Sequence, residues 1–194
     1  LEFTYAMVGL SMVDQVIEKA PVVFMPQIPG KFKWISTNRL RFFPEAKLKP
    51  ATEYQVEVLP EICPSENTYL SGERKFNFHT ERLKVMHSAT TFVYDRGLEI
   101  ETKIQWTLEF NYTVDPKELV KYVAVFYDLK EGKKDIPFKV LPDKTPSSRF
   151  DVVTDPVERG KEERSIKLIV SKGLPSTEGP LGLVGDYIAS MKVE

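Results

Sequence analysis

The sequence predicts an all-β protein made of two antiparallel β-sandwich domains in tandem, with only short helical turns. Three observations carry that expectation. Large apolar and polar residues alternate with period two along much of the chain, as they do in strands with one buried and one wet face. Turn-forming residues separate these runs at short intervals, and no long helical pattern occurs. Nearly the same heptad is also written twice, as LEFTYAM at Leu1–Met7 and as LEFNYTV at Leu108–Val114. Each heptad precedes a short helical candidate, an apolar strand, hairpins and a late alternating strand, the order expected of two copies of one module.

Taken in order, LEFTYAM reads as a strand, SMVDQVIEK (Ser11–Lys19) as a short helical turn, and APVVFMP (Ala20–Pro26) as an apolar strand. IPGK (Ile28–Lys31) is a turn leading into KFKW, where Phe32 and Trp34 share one face and lysines the other. STN (Ser36–Asn38) then reverses the chain into RLRF, which predicts a hairpin. Tyr54, Val56 and Val58 alternate, as do Phe76 and Phe78. FNFHT closes the first module, so the domains are expected at residues 1–81 and 82–194, the first starting one strand short. MHSATTFVYD (Met86–Asp95) is an extra strand ahead of the second heptad.

The most regular strand follows, with Ile104, Trp106, Leu108, Phe110, Tyr112 and Val114 on one face and polar residues on the other. DPKELVKY (Asp115–Tyr122) is a helical turn with Asp115 placed to cap it and Pro116 suited to its first position. KEGKKD (Lys130–Asp135) and DKTPSS (Asp143–Ser148) are turns, and Ile166, Leu168 and Val170 mark a late strand. The 14 prolines fall mostly in such connectors, where a missing N–H does least harm.

Composition excludes several function classes. Apolar residues make up 42% of the 194 and charged residues 28%, which suits a folded chain with its own core. Lys plus Arg number 27 against 28 for Asp plus Glu, and the balance holds on both sides of Glu81. Neither half offers the one-sided positive field that nucleic acid or an anionic membrane attracts. One cysteine, Cys63, excludes an intrachain disulfide, which fits a reducing compartment and equally a bacterial envelope protein that folds without disulfides. No apolar run approaches the length of about 18 residues that spans a bilayer. The chain opens without Met or a leader and inside a strand pattern, so it reads as a piece of a longer protein.

PVVFMPQIPGKFKWISTNRLRFFPEAKLKPATEYQVEV (Pro21–Val58) combines an apolar strand, Pro-Gly, an aromatic hairpin, Leu-x-Phe-x-Pro, and then Leu48, Pro50, Thr52, Tyr54, Val56 and Val58 at every second position. This pattern resembles the Ig-like repeats near the N-terminus of bacterial α2-macroglobulins and of some envelope proteins. IKLIVSKGLPSTEG (Ile166–Gly179) is similar to a strand-loop signature of the same large proteins. Leu-x-Pro-x-Thr-x-Tyr also occurs in fibronectin type III modules, whose Tyr makes a corner hydrogen bond. The resemblance implies two Ig-like scaffold modules of a periplasmic or envelope protein that traps proteases. Partners would then be the parent's other domains and, through the parent, proteases. The family's thioester motif, Cys-x-Glu-Gln, is not present, since Cys63 is followed by Pro64, Ser65 and Glu66.

The residues that could carry chemistry read blandly. His79 and His87 lie in or beside strands with no ligand at metal spacing. Cys63 sits in LPEICPSEN, an acidic setting that does not favour a thiolate. Asp151, Asp155 and Glu158 are a thin set of oxygens for calcium. EGKKD and ERGKEER (Glu158–Arg164) mix both signs, as solvated loops do. Asn111–Thr113 is a formal glycosylation sequon in mid-strand. Trp34, Phe32, Phe42 and Phe43 pose a sharper choice between core and a platform for a glycan or partner, and alternation assigns Phe32 and Trp34 to the core. The expectation is a non-enzyme with no catalytic, metal or cofactor-binding residue; the alternative is an Ig-like or fibronectin-like spacer or adhesion module that binds glycan or protein.

Overall fold

A computed structural model describes residues 1–17, 21–63, 68–94, 101–158 and 164–193. The protein is all-β, and the described residues form four antiparallel sheets. Its chain divides into two compact units: Leu1–Lys49 with Glu53–Thr80, and Pro50–Thr52 with Glu81–Glu194.

The first unit contains β1 (Val16–Ile17), β2 (Val22–Met25), β3 (Gly30–Ser36), β4 (Arg39–Pro44), β5 (Glu53–Val58) and β6 (Lys75–His79). β1, β3 and β4 form one antiparallel sheet, and β2, β5 and β6 the other. Phe32, Trp34 and Leu40 from the first sheet and Val22, Val56 and Val58 from the second bury their side chains in a common core. Ile62, from a 3-10 turn at Pro60–Ile62, joins them. The alternation that assigns Phe32 and Trp34 to one face is therefore what positions this core. Phe24, Phe32 and Phe42 pack ring to ring, with centroids 4.6–5.9 Å apart.

Two sequence expectations change here. Of the helical turn expected at Ser11–Lys19, the described part, residues 11–17, does not form it, and Glu18 and Lys19 lie outside the described residues. Only Leu10–Met12 makes a single 3-10 turn, after which Asp14 adopts φ 66° and Val16–Ile17 pairs with β3. The Asp14 N–H donates to the Trp34 carbonyl at 2.8 Å, so pairing with a buried strand outweighs a weak local helical tendency. Nor is LEFTYAM a full strand. Leu1 exchanges backbone hydrogen bonds with Leu40, and the Phe3 N–H reaches the Asn38 carbonyl. The chain then bends, and the N–H groups of Met7 and Val8 both turn to the carbonyl of Thr37 at the hairpin tip. LEFNYTV, by contrast, lies wholly within a long strand, so the matching heptads do not form matching elements.

The second unit contains β7 (Val85–Tyr94), β8 (Glu101–Val114), α1 (Pro116–Tyr122), β9 (Val123–Leu129), β10 (Gly132–Asp135), β11 (Phe138–Leu141), β12 (Ser147–Thr154), β13 (Val157–Glu158), β14 (Arg164–Val170) and β15 (Tyr187–Val193). One sheet runs β10-β9-β14-β15. The other runs β11-β12-β8, with β7 and β13 also paired to β8. Ile104, Trp106, Leu108, Phe110 and Val114 of β8 face Val125 of β9 and Ile166, Leu168 and Val170 of β14 within one buried cluster, and Tyr112 packs against it. α1 starts as its sequence suggests: the Asp115 carboxylate accepts the Lys117 N–H at 2.8 Å, and Pro116 needs no donor at the first position. The strand expected at Met86–Asp95 is β7; Asp95 lies outside the described residues.

Candidate functional site

The aromatic hairpin is the sharpest candidate for recognition, and burial decides its role. Trp34 is 3% exposed and Phe32 5%. Phe3 packs against the Trp34 ring at 5.9 Å, and Phe42 is half-buried against Phe32. Only Phe43, on the opposite face of β4, projects into solvent. Phe32, Trp34 and Phe42 therefore pack in and against the core between the two sheets, as alternation assigns the first two.

The Leu-x-Pro-x-Thr-x-Tyr stretch makes a defined corner. Tyr54 is buried beneath Phe78, with ring centroids 5.2 Å apart, and its hydroxyl accepts the Lys49 N–H at 3.1 Å. Burying a phenol requires such a partner for its oxygen. The hydrogen bond ties the strand to the backbone five residues upstream, as the tyrosine corner of sandwich modules does.

The strand-loop signature at Ile166–Gly179 becomes a strap over the second core. Gly173, at φ 88°, turns the chain out of β14, and its N–H donates to the Leu183 carbonyl. The Leu183 N–H returns to Leu174, and both leucines are buried. The Thr177 N–H reaches the Thr113 carbonyl at 2.9 Å, and Glu178 accepts from the Thr113 N–H and hydroxyl. Partial burial pushes the Glu178 carboxyl upward, but hydrogen bonds from Thr113 and Thr177 outweigh it and hold the group below its ordinary range. This loop is closed by its own contacts.

The remaining candidates scatter. His79 is exposed at the end of β6 and bonds the neighbouring Thr80 carbonyl; His87 is exposed on β7 opposite Glu109. Asp151 accepts the Thr107 hydroxyl at 2.6 Å on the outer face of its sheet, while Asp155 lies past the strand end. The side chain of Glu158 and residues 159–163 lie outside the described residues, as do Pro64–Glu66. Among the described residues no three His, Cys, Asp or Glu side chains converge. Cys63 is half-buried at the edge of a groove of about 450 Å³ between Leu1–Met7 and Thr68–Arg74. The sequon asparagine is already engaged: Asn111 Oδ1 accepts the Lys84 N–H at 2.8 Å and its Nδ2 donates to the Arg82 carbonyl at 2.9 Å. These bonds hold the chain leading into β7 against β8, a role that sequence spacing does not signal. Comparison with known families and with curated proteins finds no match.

Proposed function

We propose that this chain is a non-catalytic scaffold fragment of a large bacterial α2-macroglobulin-like envelope protein that traps proteases. The observation that supports this reading most is the corner at Leu48–Val58, where the Leu-x-Pro-x-Thr-x-Tyr motif folds into a buried Tyr54 bonded to Lys49. The strap at Leu174–Leu183, built on the strand-loop signature at Ile166–Gly179, adds to it. On this reading the chain's polar side chains serve pairing and capping, and chemistry and protease capture belong to other parts of the parent. Its setting is the periplasm or cell envelope, and its partners are neighbouring domains. The test is the parent reading frame followed by a trapping assay. A parent of over about 1,000 residues, many sandwich-sized domains long, should protect itself and a bound protease from a large antibody or inhibitor, while this fragment alone should not inhibit. A parent of a few hundred residues, or tight glycan binding by the fragment, would favour the spacer or adhesion reading instead.

A further inference from the structure

β6 is an edge strand, with β5 as its one strand partner among the described residues. The Val58 N–H donates to the Arg74 carbonyl at 2.8 Å, and the register continues through Val56–Phe76 and Tyr54–Phe78. In an antiparallel ladder, residues alternate between pointing both backbone groups at one neighbour and at the other. Arg74, Phe76 and Phe78 therefore point toward β5, and the N–H and C=O groups of Lys75, Asn77 and His79 point outward. No described residue hydrogen-bonds those outward backbone groups. The side chains show the same incompleteness: Phe76 lies on the inward face, opposite buried Val56, yet is 39% exposed. It borders a cavity of about 180 Å³ lined by Phe24, Phe32, Phe42 and Phe78.

The order of residues along β6 is nearly palindromic about Asn77, as Lys-Phe-Asn-Phe-His. We propose that β6 pairs antiparallel with β6 of a second copy of this chain, about a two-fold axis through Asn77. The axis sets Lys75 opposite His79, Phe76 opposite Phe78, and Asn77 opposite itself. The outward residues of one copy meet the outward residues of the other, so every free N–H and C=O of Lys75, Asn77 and His79 gains a partner. Phe76 and Phe78 of both copies fall on one face of the joined sheet, in the closely spaced non-hydrogen-bonded positions, and shield one another from water. Charge permits the approach. Lys75 is ion-paired to Glu57 at 3.3 Å and lies opposite an imidazole, so no two lysines of the strand meet. A contact limited to a five-residue strand falls in the weak class, under about 1,200 Å², so the dimer dissociates on dilution.

Sedimentation of the full 194-residue chain over a wide concentration range tests this. The mass should rise from 22.3 kDa toward twice that value. Asn77→Pro should abolish the rise while leaving the circular dichroism unchanged, because the N–H it removes serves no bond within the chain. In a Cys63→Ser background, Asn77→Cys should oxidise to a cross-linked dimer and Lys75→Cys should not, since paired Lys75 residues lie four positions out of register. A single-chain mass at all concentrations would overturn the proposal and leave the edge to a strand of another protein. So would a dimer that survives Asn77→Pro, or equal cross-linking at both positions.

Discussion

Glu178 shows how one exposed carboxylate can make stability depend on pH. Its carboxyl is held below the ordinary range by donors from Thr113 and Thr177, against the opposing pull of partial burial. A group that ionises more readily folded than unfolded stabilises the fold fully above its unfolded value, about 4.3 for Glu. That contribution is lost as pH falls through the lower folded value. Water screens the site, so the effect stays under about 1 kcal/mol. Thermal melts from pH 7 down to pH 3 should show a smaller loss in Glu178→Gln than in the parent chain, and equal slopes would count against the strap bonds. Trp106 sits in a different situation: it is fully buried, and its Nε1 is the one buried side-chain polar atom without a partner among the described residues. Leaving such a donor unpaired costs about 1–3 kcal/mol, which partly offsets what the indole contributes by packing.

At the scale of elements, glycine placement identifies the segments that tolerate least change. A Cβ on Gly182 would lie 2.4 Å from the Leu174 carbonyl oxygen and 2.6 Å from the Gly173 backbone. Neither neighbour is a flexible side-chain end, so the strap must shift as a unit. Gly182→Ala should cost about 1–3 kcal/mol, the usual range for overpacking, and lower Tm by about 2–4 °C per kcal/mol in a protein of this size. Gly185 meets nothing within 4 Å, so Gly185→Ala is the matched control and should leave Tm nearly unchanged. A comparable drop in both variants would mean that the backbone approach at Gly182 is not what sets the strap. The short elements behave differently: α1 is capped by Asp115 as its local sequence implies, whereas Val16–Ile17, inside a stretch with a helical tendency, pairs with β3 instead.

For the whole molecule, the two buried cores share no residue, and each holds one of the two tryptophans: Trp34 in the first and Trp106 in the second. Fluorescence therefore reports each unit separately. Trp106→Phe, which also removes the orphaned donor, leaves a reporter in the first unit alone; Trp34→Phe leaves one in the second. Trp34→Ala, with Trp106 kept, should cost the first unit about 3–5 kcal/mol, the range for emptying a buried tryptophan site. Circular dichroism should then retain a second-unit transition, while the first melts early or fails to fold cooperatively. Loss of both transitions together would show that the two cores unfold as one.

Much of this architecture is local and was legible in the linear pattern. Alternation alone places Ile104 to Val114 on a buried face, and turn chemistry alone marks the reversal at Ser36–Asn38, because both depend only on side-chain direction and backbone torsion a few residues apart. Of the turn expected at Lys130–Asp135 only Lys130–Glu131 turns, and Gly132–Asp135 pairs with β9 as β10. Candidate chemistry was legible in the same limited sense, since residue type and spacing are readable but convergence is not. Which strands neighbour which, why Leu1–Met7 leaves its sheet after Phe3, why Pro50–Thr52 groups with the later residues, and why Phe76 stays half uncovered on an inward face are all settled by contacts between distant segments. A local rule cannot encode them, because the free energy that selects among such pairings comes from burial and hydrogen bonds that exist only once the chain has closed on itself.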